Sequence, residues 1–312
     1  MTRGDPALVR TLKLTIAYDG ANYAGWQSQL ARPTVQDMLE NAIEKVTGQR
    51  VRVLASGRTD AGVHALGQVV GLRCESRLPP NVLLRALNAN LPDDIAVLEA
   101  ADAPVGFHAI ADVIRKRYRY VIYDGTVRDV FGRRYAWHYP YGRLDAAAMQ
   151  RAALALVGKH DFRSFESSGA ERKTSVRTVF QLRVERGGDC PNFRGHRSAD
   201  VVGGKGTVPL DAENARTALP GKKIETGPQG RAGGGEFLPT ANGGDYVFMD
   251  IEADGFLYNM VRAIVGTLVE VGRGAEREAW PGEVLQALDR RVAGPTAPPH
   301  GLCLVNVEYR QE

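Results

Sequence analysis

A chain of 312 residues is about two domains' worth at the usual ~150 residues each, and 44% apolar with 24% charged residues is a globular balance that excludes wholesale disorder and collagen-like repeats. Lys plus Arg exceed Asp plus Glu by 40 to 36, so the net charge of +4 permits a nucleic-acid partner without requiring one. The most apolar helical stretch, Met260 to Val271, carries Arg262 and Glu270 and falls far short of the ~20 apolar residues a bilayer demands, so no membrane partner is expected. Asp5 and Pro6 stand where an export signal would need an apolar run, and the expected location is cytoplasmic. Cys74, Cys190 and Cys303 are odd in number and far apart, which predicts reduced thiols rather than disulfides or a metal knuckle.

Leu12 to Tyr18 alternates apolar and polar residues and runs into Asp19-Gly20, a strand closed by a turn. Pro33-Thr34 then signals a helix start, with Asp37 three residues on as a weak capping box. Val35, Met38, Leu39, Ala42, Ile43 and Val46 recur at helical spacing until Gly48 stops the run. Val51 to Ala55 and Gln68 to Cys74 read as strands joined by residues 56–65, a polar, glycine-bearing connection longer than a hairpin needs. A short helix from Asn81 to Asn88 and a strand from Ile95 to Ala101 complete a β-α-β-β-α-β order, that of a split βαβ, ferredoxin-like unit.

The pattern restarts about a hundred residues later, where Tyr118 to Gly125 echoes Leu14 to Gly20. A helix from Asp145 to Val157, strands Val179 to Glu185 and Tyr246 to Ala253, a helix Asn259 to Val271 and a last strand Leu302 to Tyr309 follow. The expected fold class is α+β. Two related ferredoxin-like or RRM-like halves, residues 1–113 and 114–312, would share a largely antiparallel, continuous sheet with helices on one face. Gly187 to Gly244 breaks the rhythm: it holds 14 of the 35 glycines and five prolines, the composition of a surface excursion from the second half.

The six histidines are scattered, with no HExxH and no ligand pair at helical spacing, so no metal is expected. His160-Asp161 reads as a solvated helix end. Neither GxSxG nor a strand-borne GxGxxG occurs, which leaves hydrolase and dinucleotide chemistry without a motif. What remains is the 56–65 loop. In an extended stretch Arg58 and Asp60 project to the same side, bracketed by Gly57 and Gly62, and a carboxylate beside a guanidinium stays ionised as a nucleophile or base. The bland alternative is that Asp60 caps a turn and Arg58 merely pairs with it. Arg115 to Tyr120 interleaves cations and aromatics, with Lys116, Tyr118 and Tyr120 on one face and Arg115, Arg117 and Arg119 on the other. That combination could stack a base and hold phosphates, or it could be an edge strand kept soluble by charge.

With these residues in place, the chain resembles the tRNA pseudouridine synthase A family. The resemblance rests on Tyr18-Asp19-Gly20 with Tyr23 and Gly25-Trp26-Gln27, on Gly57 to His64 (GRTDAGVH), and on Asn88 to Pro92 and Phe107-His108-Ala109. It continues through Arg117 to Tyr120, His160-Asp161-Phe162 and Phe256 to Gly266, covering nearly the whole chain except Gly187 to Gly244, where a short connection is expected instead. It implies an isomerase that converts uridine to pseudouridine in the anticodon stem-loop of tRNA, at tRNA positions 38, 39 and 40, without metal or organic cofactor, and a homodimer holding tRNA as partner. It also implies that Asp60 is the catalytic carboxylate, that Arg58 helps displace the target nucleotide and that Tyr118 packs against the uracil. A catalytically silent RNA-binding protein of the same fold and a structural interaction protein using its basic surface are the alternatives.

Overall fold

Alternation does its work first in β1 (Arg10–Tyr18), which buries Leu12, Leu14, Ile16 and Tyr18 on one face. The computed structural model describes residues 9–30, 32–104, 106–169, 174–187 and 244–310. Helix α1 (Val35–Thr47) starts where Thr34 accepts a hydrogen bond from the Asp37 N–H and ends at Gly48, whose φ of 71° is left-handed. Strands β2 (Leu54–Ala55) and β3 (His64–Cys74), helix α2 (Pro80–Asn88) and strand β4 (Ile95–Asp102) complete the first unit. The second comprises β5 (Val113–Tyr123), β6 (Trp137–His138), α3 (Ala146–Ala153), β7 (Gly158–Asp161), β8 (Val176–Gly187), β9 (Tyr246–Ala253), α4 (Met260–Gly272), α5 (Trp280–Ala287) and β10 (Leu302–Tyr309).

Among the described residues, all ten strands form one sheet in the order β4-β1-β3-β10-β5-β9-β8-β7, with β2 on β3 and β6 on β5. The echo between the halves is spatial as well: β1 lies between β4 and β3, and β5 lies between β10 and β9. Pairing is antiparallel except where β10 meets β3 and β6 meets β5. The helices cover one face. Leu39 and Ile43 of α1, Leu83 and Leu87 of α2, Met149 of α3, Ile264 and Leu268 of α4 and Leu285 of α5 share a core with Leu14, Tyr120, Met249 and Leu304 of the sheet. At ~1.5–3 kcal/mol for each large apolar side chain removed from water, this core is the dominant stabilising element.

Several expectations are corrected. Residues 64 and 65, assigned to the loop, belong to β3, because His64 and Ala65 pair with Cys303 and Leu304 of β10. His160-Asp161 is not a helix end. The helix stops near Ala153, a short 3-10 turn takes over at Leu154–Leu156, and Gly158, at φ 116°, turns the chain into β7 opposite Val176 to Val179. The basic strand β5 is not an edge strand but a central one, flanked by β10 and β9. Helix α5 and the short strands β6 and β7 had no sequence expectation. Cys74 and Cys303 are buried free thiols; Cys190 and nearly all of the 187–244 segment lie outside the described residues. Among the described residues, no helix is long and apolar enough to cross a membrane.

Candidate active site

The two halves are joined where β3 pairs with β10. Tyr18 of β1 pairs with Ala65 of β3, Ala65 with Leu304 of β10, and Leu304 with Tyr118 of β5. Tyr18 and Tyr118 thus flank the junction, and the polar loop 56–63 emerges at the start of β3 beside it. With strands spaced ~4.8 Å apart, two steps bring Tyr118 within side-chain reach of that loop.

Close backbone packing shapes the loop. Gly25, at φ +96°, lies so near that a Cβ there would stand 2.7 Å from the Thr59 carbonyl, and the Trp26 N–H donates to that same oxygen. A Cβ on Gly20 would stand 2.0 Å from the Val63 carbonyl. Tyr18 and Thr59 hydroxyls hydrogen-bond at 2.8 Å, Ser56 Oγ and Gln68 Oε1 at 2.6 Å, and Lys116 Nζ donates to the Ser56 carbonyl. The face of β5 that the alternation gave to Lys116, Tyr118 and Tyr120 therefore does turn towards this loop.

Asp60 is half-buried, and its partner is Arg262, 202 residues away in the first turn of α4: Nη1 donates to Asp60 Oδ2 at 3.2 Å. Arg262 is itself aimed, donating from Nη1 to Asn259 Oδ1 at 2.8 Å and from Nε to the Ala297 carbonyl at 2.7 Å. The pairing expected within the loop does not form. Arg58 is exposed and, among the described residues, makes no ion pair or hydrogen bond, so its guanidinium is unengaged. Burial pushes the Asp60 carboxyl above its ordinary value, and the Arg262 charge and hydrogen bond oppose that only in part. Asp60 is thus a more basic carboxylate than a solvated one.

Tyr118 is 8% exposed and stands edge-on to Phe256, ring centroids 5.0 Å apart. Burial first, and then the neighbouring Tyr18 phenol and Asp60 carboxyl, raise its phenol far above the ordinary range, so it stays neutral. The opposite face of β5 offers few free cations for phosphates: Arg119 is bidentate to Asp250 (2.9 and 2.7 Å), Arg117 faces Asp250 and Glu252, and Arg115 faces Glu252 and Glu308. That basic stripe is neutralised by β9 and β10.

His64 ties the base of the loop to three distant segments. Nε2 faces the carbonyls of Arg134 and His300 at 3.0 and 3.2 Å and so carries a proton, while Nδ1 lies 3.1 Å from both the Gly20 N–H and Asp19 Oδ1. The neutral ring accepts from Gly20; the charged ring donates to Asp19. The His64 hydrogen bond, with help from the Ala21 N–H and the Tyr135 hydroxyl, outweighs burial and lowers the Asp19 carboxyl to about 2. Among the described residues, no group of three His, Cys, Asp or Glu side chains is arranged to hold a metal ion.

Arg262, Asn259 and His64 have roles here that the reading of the residues did not assign. The signal for Arg262 was present, a lone cation in an otherwise apolar helix, but there it registered only as an interruption of hydrophobicity. Comparison with known proteins identifies the family. A family model described as tRNA pseudouridine synthase matches residues 14–110 and 152–310, which include Tyr18, Asp60, Arg262 and Leu304. The chain is 41% identical over 301 residues to a tRNA pseudouridine synthase A from Moorella thermoacetica, covering 96% of this chain and 99% of that protein. Proteins of the same name from Thermoanaerobacter sp. and Geotalea uraniireducens are 36% and 38% identical, each over 96% of this chain and 100% of their own length. The chain belongs to the tRNA pseudouridine synthase family, isomerases that act on tRNA.

Proposed function

We propose that this chain converts uridine to pseudouridine in the anticodon stem-loop of tRNA, at tRNA positions 38, 39 and 40, with Asp60 as the catalytic carboxylate. The observation that carries this reading is the half-buried Asp60 carboxylate, held by Arg262 at the seam where both halves meet. The reaction breaks the N1–C1′ bond, joins C1′ to C5, releases the C5 proton and protonates N1, so atoms and electrons balance without a co-reactant. It needs the base out of its stack, an ionised carboxylate acting as nucleophile or base, and shelter from water. Asp60 has the carboxylate and the partial burial. Arg58, exposed and unengaged, takes the place of the displaced nucleotide in the stack. Tyr118, neutral and backed by Phe256, packs against the uracil.

The assembly that fits the reading is a cytoplasmic homodimer holding one tRNA across both subunits, because an L-shaped RNA is large relative to a 33.9 kDa chain and pairing doubles a net charge of +4. The test is tritium release from C5-labelled uridine in tRNA beside a filter-binding titration. Asp60→Asn keeps the side chain's shape but can serve neither as nucleophile nor as base, so turnover collapses while tRNA binding, carried largely by phosphate contacts, survives. Near-parental tritium release by Asp60→Asn would overturn the assignment. Binding without any release from the parent would favour the silent RNA-binding protein.

A further inference from the structure

Outside the seam, the most unusual surface of the described chain is the turn between β5 and β6. Val127 is 76% exposed, Val130 58% and Phe131 90%, and a phenylalanine so far from any core gains nothing for the fold. The turn is nevertheless well anchored. Asp129 accepts from the N–H groups of Phe131 and Gly132, both at 2.9 Å, and from the Tyr246 hydroxyl, and the Tyr135 N–H donates to the Gly132 carbonyl at 2.8 Å. Phe131 is therefore presented on an ordered backbone, and little further ordering is required when something stacks on it.

Charge around the ring is positive and largely uncompensated. Arg128 and Arg133 are exposed and form no ion pair among the described residues; Arg133 donates only to the Val130 carbonyl. Arg134 stands 3.6 Å from Asp19, and Asp129, the acid within the turn, already accepts from the Phe131 and Gly132 N–H groups and the Tyr246 hydroxyl. This contrasts with Arg115, Arg117 and Arg119, whose charges are met by neighbouring carboxylates.

The turn is also joined to the site. The Arg134 carbonyl faces His64 Nε2 at 3.0 Å, and Tyr135 donates to Asp19 at 3.0 Å, so the turn is pinned to the segments that frame Asp60.

We propose that the 126–134 turn is a second RNA contact, in which the Phe131 ring stacks on a nucleobase beyond the target uridine while Arg128 and Arg133 hold adjoining phosphates. The inference rests on the reading that this chain acts on tRNA and extends it to a surface that governs which RNA is held. Aromatic rings flanked by unpaired cations match single-stranded or flared nucleotides, which offer a π-face and a phosphate at short spacing. Nucleic acid is the occupant that the charge favours, because both exposed arginines lack a carboxylate partner among the described residues, and a second copy of this chain is an outcome of the test.

The experiment is a tRNA-binding titration across a salt series, with sedimentation of each variant alongside. Parental protein must bind tRNA and release tritium; failure there would remove the proposed function itself rather than this contact. Phe131→Ala should weaken binding about 5- to 150-fold with an unchanged melting temperature, and Phe131→Trp should restore it. Arg128→Ala and Arg133→Ala should each lower the salt slope by about one. Binding by Phe131→Ala within twofold of the parent, with both arginine variants keeping the parental slope, would overturn the proposal. So would a loss of binding that tracks dissociation of a dimer, which would make the patch an interface between copies.

Discussion

Asp60 is governed by two opposed effects of its surroundings. Burial raises its carboxyl above the ordinary value, and Arg262 pulls it back. Activity that needs the carboxylate should fall on the acid side at a pH above that of a solvated aspartate. Arg262→Met removes the opposing charge, so the acid limb of the rate profile should move to higher pH, and turnover at neutral pH should drop by roughly 100-fold as the carboxylate loses its orientation. A limb that stays in place in that variant would show that Asp60 is not the titrating group. The same shift bears on stability. A carboxyl whose folded-state pKa is raised contributes most below its unfolded value, near ~3.9, and that contribution is lost as pH rises through the folded value. Ionised Asp60 therefore costs stability at neutral pH. Asp60→Asn should melt no lower than the parent at pH 7 and above it if Arg262 keeps its bonds to Asn259 and Ala297, which calorimetry across pH will read.

At the scale of elements, the loop depends on what packs against it. Gly25 combines a left-handed φ of 96° with a Cβ direction blocked at 2.7 Å by Thr59 O and 3.0 Å by Ala61 N. Alanine there meets ~1–2 kcal/mol of backbone strain plus a clash with backbone, so the loop must shift. Gly25→Ala should lower the melting temperature by several degrees and reduce turnover more than tRNA binding, since it displaces the loop that carries Asp60 while phosphate contacts generally carry most of the affinity. Full activity in that variant would mean that loop position is not limiting. The junction around His64 has its own pH signature. Asp19, lowered to about 2, contributes stability that is present above its unfolded pKa near ~3.9 and lost as pH falls through about 2. Acid unfolding of His64→Phe should begin at higher pH than that of the parent, because Asp19 loses its largest stabilising partner.

The described residues are built on one sheet, and what interrupts the chain need not interrupt that fold. Gly187 of β8 is paired directly with Tyr246 of β9, so the chain leaves and re-enters the described structure at neighbouring positions of an antiparallel pair. A two- to five-residue turn can close that gap. Loop-closure entropy grows by only ~0.6 kcal/mol per doubling of length, so replacing residues 188–243 with such a turn should change stability by no more than about 2–3 kcal/mol, on the stabilising side. A thermal melt of the shortened chain checks this; loss of cooperative unfolding would place those residues in the core.

Local periodicity was enough to place most of the elements. The helix from Thr34 to Gly48, the final strand Leu302 to Tyr309 and the β-α-β-β-α-β order are written in spacings of two and 3.6 residues and in caps that act over a few positions. The loop around Asp60 was legible too, because a long polar connection between strands is unusual in itself, and the motif resemblance assigned roles to Asp60, Arg58 and Tyr118. Only the tertiary structure decided who meets whom. That β10 wedges between β3 and β5, that Arg262 rather than Arg58 faces Asp60, and that Asp250 and Glu252 neutralise the arginines of β5 are contacts across more than a hundred residues. Side-chain alternation says which way a residue points within its own strand, but the partner strand and register are selected by burial of the common core, which no local spacing encodes.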